Sequence, residues 1–146
     1  MNAQAYLDLQ KKHEKEISDF PIAYAFNDQQ LKEALNKLGV QSTKECVTVF
    51  GHGDIVKREN APKLIAMLNR HTQEVHELLL SNEEIAEAAF LYEMNNHEYA
   101  INWDGDDAIF DCFAITYEKL CEMNLESAYN RARRTHYKQM EEWGVI

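Results

Sequence analysis

Ala88–Trp103, AAFLYEMNNHEYAINW, is the stretch whose reading decides the fold. Phe90, Tyr92 and Met94 alternate with Leu91 and Glu93, and Tyr99, Ile101 and Trp103 alternate with Ala100 and Asn102. That is the period of a strand with one buried face. Asn95-Asn96 separates the two runs, and Asn tolerates the positive φ that a two-residue hairpin turn requires. The spacing predicts a β-hairpin. A lone hairpin is marginal in water, so helices and further strands are expected over its apolar face.

Upstream, Ser81-Asn82-Glu83-Glu84 reads as a capping box with Ser at the N-cap, opening a short helix, NEEIAEA, that leads into the hairpin. Before it, Asn60 and Pro62 begin a long helix whose stripe is Leu64, Leu68, His71, Val75, Leu78 and Leu79. Cys46–Phe50 is β-branched and reads as a strand, Gly51–Asp54 as a turn, and Ile55–Lys57 as the returning strand. Ile22–Phe26 is a further short strand. Asn27 or Asp28 caps a helix with Leu31, Ala34, Leu35 and Leu38 inside, and Gly39 ends it. Residues 3–19 form an amphipathic helix that Pro21 stops.

Downstream, Asp104-Gly105-Asp106-Asp107 precedes a helix, AIFDCFAI. Thr116 caps a short one, and the last helix runs from about Leu125 to Trp143. The expected fold is α+β over residues 1–146, one domain, with antiparallel hairpins forming a small sheet packed against several helices.

Length and composition narrow the function. The chain has 146 residues, 45% hydrophobic and 27% charged, which fits a globular domain. Three cysteines, none in a CxxC pair, point to reduced thiols in a cytoplasmic protein. No run approaches a membrane span, and the N-terminus has no apolar signal region. The formal charge of −10 argues against direct binding of nucleic acid and is compatible with a basic protein partner.

Three polar clusters are candidates for chemistry. His52 and Asp54 lie in a Gly-His-Gly-Asp turn, where glycine lets the backbone approach a ligand, although the turn is no phosphate loop. Asn95, Asn96, His97 and Glu98 gather at the expected hairpin tip, but His97 and Glu98 are adjacent and would point to opposite faces. Asp104, Asp106, Asp107 and Asp111 begin like a calcium loop, yet Ile109 stands where the glycine belongs and Ile115 where the bidentate Glu belongs, so helix capping explains them better. His71 and His76 are five apart and present no zinc face. Arg131, Arg133, Arg134 and Lys138 gather positive charge on the last helix.

IAYAFNDQQLKEALNKLGV (22–40), GHGDIVKRE (51–59) and FLYEMNNHEYAIN (90–102) together resemble a family of small uncharacterised proteins from phages, plasmids and gut anaerobes. The resemblance implies no catalytic residues, and no cofactor is expected. It implies a mobile-element setting, in which small acidic single-domain proteins are often inhibitors of host defence nucleases, or regulators.

The expectation is therefore a non-enzymatic protein that binds another protein, such as a basic nucleic-acid-binding effector of the CRISPR or restriction type. Asp104, Asp106, Asp107, Glu83 and Glu87 would stand in for phosphates, and Asn95, Asn96 and His97 would join the contact surface. The alternative is a small enzyme or metal- or ligand-binding protein using His52, Asp54, His97 and Glu98. Self-association through an exposed strand or the last helix is a third reading.

Overall fold

A computed structural model describes residues 2–146. Their elements are α1 (Gln4–Asp19), β1 (Ala23–Tyr24), α2 (Asp28–Leu38), β2 (Cys46–Val47), β3 (Asp54–Lys57), α3 (Ala61–Ser81), α4 (Glu83–Asn96), α5 (Gly105–Phe113), α6 (Tyr117–Glu122) and α7 (Glu126–Glu142). The α+β class with a small antiparallel sheet is as expected. The chain divides into two compact units, one of Lys11–His71 and one of the first ten residues with Thr72–Ile146.

The first of these holds the sheet, in the order β1-β3-β2 with every pair antiparallel. Ala23 faces Ile55, and Val47 faces Val56. The β2–β3 hairpin and the β1 strand fall where the β-branched runs place them. Asn27 caps α2 by accepting from the Gln30 N–H, and Gly39 ends it at φ 72°, a left-handed conformation that glycine adopts without a Cβ penalty. Ala23, Ala34, Leu38 and Cys46 make one small cluster, and Ile22, Val56 and Leu64 make another.

The second unit is built on α4 and α7. The expected hairpin over 88–103 is a helix up to Asn96, followed by a 3-10 turn at Tyr99–Ile101. Phe90 and Met94 are both fully buried, whereas Tyr92 is 37% exposed. A strand would have put all three on one face; the i, i+4 relation of a helix puts the first two together and the third elsewhere. Ala88, Ala89, Leu91, Glu93 and Met94 also have strong helix propensity. The N-cap is Asn82, which accepts from the N–H groups of Glu84 and Ile85, and Ser81 closes α3 instead.

Residues 86–90, 93 and 94 of α4 are all buried. A helix covered on nearly every side carries no sharp polar face, so its 3.6-residue period is faint in the sequence. Ala86 and Ala89 on α4 and Ala128 and Ala132 on α7 are buried in the same core; small side chains allow close helix approach. Phe90 meets Phe113 and Tyr129 edge-on, with centroids at 5.0 and 5.3 Å. The chain leaves α4 through Glu98 at φ 52°, so the left-handed residue is Glu98 and not either asparagine.

No helix among the described residues is long and apolar enough to cross a membrane.

Candidate functional site

The Gly-His-Gly-Asp segment is wound around Asp54. That carboxylate is 2% exposed. Oδ1 accepts from the Thr48 hydroxyl (2.8 Å) and from the Gly51 and His52 N–H groups (2.9 and 3.3 Å); Oδ2 accepts from the Val49 and Phe50 N–H groups (2.8 and 3.1 Å). Burial alone would push its pKa up. The Val49 and Phe50 amides and the Thr48 hydroxyl outweigh burial and hold it well below the ordinary carboxylate range. Five donors occupy about all the lone-pair sites a carboxylate has. Asp54 therefore shapes the loop and has no acceptor left for a ligand, while His52 is exposed. These two residues lie in the sheet-bearing unit and His97 and Glu98 in the helical one.

His71 is the buried structural residue its position on the stripe suggests: its Nε2 lies 3.2 Å from Glu16 Oε2, and its ring stacks on His13 at 3.8 Å. His76 Nε2 donates to the Phe113 carbonyl at 2.7 Å.

In the helical unit the acidic residues divide into two kinds. Arg131 holds Glu83 at 3.5 Å and the buried Glu87 at 3.3 Å. Asp106 Oδ1 accepts from the Tyr99 and Tyr129 hydroxyls at 2.6 and 2.5 Å. Burial and the Asp106 carboxylate push the Tyr99 phenol up to about 12, so it stays a donor. Asp104 and Asp107 are exposed at the start of α5. Between them and the 3-10 turn stands Trp103, 95% exposed. It borders a polar cleft of about 350 Å³ whose walls include Asp104, Asp107, Arg133 and Tyr137.

The two asparagines serve α4. Asn95 Oδ1 lies 2.7 Å from His136 Nδ1, and its Nδ2 donates to Gln139 at 3.2 Å. The Ala100 N–H donates to His136 Nε2 at 3.0 Å. His136 is therefore neutral with its proton on Nδ1, and burial lowers its pKa. Asn96 is exposed at the end of the helix.

His97 has company that the sequence reading did not assign to it. Glu93, one turn back on α4, puts Oε2 at 3.3 Å from His97 Nε2, and Cys112 of α5 puts Sγ at 3.2 Å from the same nitrogen. The three donor atoms lie within 4.8 Å of one another. Glu93 is buried, and the other two are half-buried. Burial, then hydrogen bonding to Glu93, pushes the Cys112 thiol up to about 12. Both partners face one ring nitrogen, so the set lacks the relay of a nucleophilic triad, in which base and orienting acid use opposite nitrogens. Three different donor types lie close enough together for one metal ion to reach all of them.

The chain belongs to a family of unknown function, DUF7659, whose match covers residues 5–135. That agrees with the coarser part of the resemblance, a family without an assigned activity. No curated protein and no solved structure matches the chain.

Proposed function

We propose that the protein acts by binding another protein through the face around Trp103, and that the partner presents a lysine or arginine side chain there. The observation that carries this is the indole of Trp103, 95% exposed at the edge of a polar cleft. Exposed tryptophan is costly to leave in water and is enriched among the residues that dominate interfaces. Trp103 shares its cleft with Asp104 and Asp107, and an exposed indole near carboxylates suits a cation, which would sit away from Arg133 on the same wall. The overall charge of −10 would steer such a partner inward. In its narrower form, the reading is a mobile-element inhibitor seated in the basic groove of a host defence nuclease. Glu83, Glu87 and Asp106 contribute less to it than their charge suggests, because each already has a partner within the protein.

Trp103 becomes the sole indole in a Trp143→Phe background, so its fluorescence reports directly. Titration with an arginine-rich peptide should change the emission saturably, with an affinity that falls as salt rises. Asp104→Lys with Asp107→Lys should abolish the change. Reversing the same number of charges at Glu33 and Glu59, in the sheet-bearing unit, should leave most of it. Equal losses in both double variants would mean that net charge alone attracts the peptide, and the proposed face would be refuted.

A further inference from the structure

We infer that Glu93, His97 and Cys112 form a binding site for a divalent transition metal of the zinc class. The inference stands apart from the partner surface and would survive its failure.

The geometry is the first support. A tetrahedral zinc with bonds of ~2.0–2.3 Å sets its ligand atoms ~3.3–3.6 Å apart. The two separations from His97 Nε2 are 3.3 Å to Glu93 and 3.2 Å to Cys112. The third separation, between the Glu93 oxygen and the Cys112 sulfur, is within 4.8 Å, so an ion would draw those two side chains together. The second support is placement. Glu93 lies in the last turn of α4 and His97 is its C-cap, whose N–H donates to the Glu93 carbonyl at 2.9 Å, so the helix end spaces them. Cys112 comes from the penultimate position of α5, a second helix of the same unit.

The donor types choose the metal. A thiolate and an imidazole disfavour calcium and magnesium, which take oxygen ligands. One sulfur, one nitrogen and one carboxylate oxygen match zinc, and cobalt(II) can substitute as a coloured probe. Three protein ligands leave one tetrahedral position for water or a further ligand. On loading, the Cys112 S–H proton leaves for solvent as the sulfur–metal bond forms; no oxidation state changes. The ion would tie His97, at the C-cap of α4, to α5 across the segment that carries Trp103.

The test is a cobalt(II) titration of protein stripped with chelator. The expected result is the visible absorption of tetrahedral cobalt together with a thiolate-to-cobalt charge-transfer band, saturating at one equivalent and bleached by zinc. Cys112→Ser should abolish the charge-transfer band, whereas Cys46→Ser and Cys121→Ser should keep it. Glu93→Gln and His97→Asn should each weaken binding by more than the ~10–100-fold that loss of an outer-sphere partner costs. Should Cys112→Ser fail to fold, alkylation of the wild-type chain followed by peptide mapping decides the matter: zinc should protect Cys112 and leave Cys121 as reactive as before. Absence of the bands in the wild type, their survival in Cys112→Ser, or equal alkylation of Cys112 with and without zinc would each overturn the site.

Discussion

Replacing Asp54 with asparagine keeps the side-chain size and removes one charge, yet it should unsettle the whole 48–53 loop. Oδ1 serves three donors and Oδ2 two. An amide has one accepting oxygen, so whichever way the substituted side chain turns, at least two backbone N–H groups face an NH₂ group. One choice orphans Val49 and Phe50; the other turns the NH₂ toward Gly51 and His52, of which Gly51 also reaches Thr48 Oγ1 at 3.0 Å. Each lost bond costs ~1–3 kcal/mol when the donor is cut off from water. Phe50 is exposed and Val49 half-buried, so water recovers part of this and the low end applies, about 2–3 kcal/mol in all. For a chain of this size that is a fall in Tm of about 5–10 °C.

The pH dependence separates this account from a mere packing defect. The folded carboxyl titrates well below its unfolded value of about 3.9. A depressed folded pKa means that the unfolded state takes up the proton first. The stabilisation is therefore complete above that unfolded value and is lost as pH falls from there through the folded pKa, at up to ~1.4 kcal/mol per unit. Urea midpoints followed by circular dichroism should show a wide gap between wild type and Asp54→Asn near about pH 7, narrowed by roughly 1 kcal/mol near about pH 3. A gap that is the same at both, or one below ~0.5 kcal/mol at neutral pH, would refute the reasoning.

Other substitutions test other joints. Asn82→Ala removes the cap of α4 and should cost ~1 kcal/mol in thermal unfolding, with Asn82→Asp close to wild type. Gly105→Ala would set a Cβ 2.8 Å from the Tyr99 ring and 2.9 Å from its carbonyl oxygen; a loss of about 1–3 kcal/mol in urea unfolding is expected from the overpacking. His136→Leu strands the Ala100 N–H and the Asn95 carbonyl and should cost about 2–4 kcal/mol. Because burial lowers the folded pKa of His136, its unfolded form takes up protons first as pH drops below about 6.5, so wild type should lose stability there faster than His136→Leu does.

The sheet was legible because its signals are local. Val47, Thr48 and Val49 on one side and Ile55 and Val56 on the other are β-branched and flank two glycines at φ 80° and 82°, a turn that few other residues allow. Asn27, Gly39 and Thr116 announce helix ends by chemistry that needs no tertiary partner. The role of Asp54 was not legible, since a carboxylate wrapped by its own loop reads in sequence like one offered to a ligand. Residues 88–96 were misread for a different reason. Over a few residues an apolar segment can alternate with period two by chance, and only the burial of Glu87 and Glu93 as well shows that α4 is enclosed. The polar residues broke the helical stripe because they too face inward, one to Arg131 and the other to His97 and Cys112.

That misreading also hid the candidate metal centre, and the connection is physical. Read as a strand ending in a turn at Asn95-Asn96, Glu93 lies before the turn and His97 after it, and the nearest carboxylate in sequence is Glu98, which would point to the opposite face. Read as a helix, Glu93 and His97 are one turn apart on a common face, and the search becomes a search for a third ligand. Cys112 then stands out, since it is the only cysteine within the helix that follows. Glu98 is exposed in the left-handed conformation that ends α4 and belongs to the turn. The alternative expectation of a ligand site set Glu98 with His97, whereas the structure places Glu93 and Cys112 beside that histidine. Secondary-structure period decides which side chains can share a ligand before any distance is measured. In this chain a single decision, at Phe90, Tyr92 and Met94, fixes both the core of the helical unit and the donor set beside it.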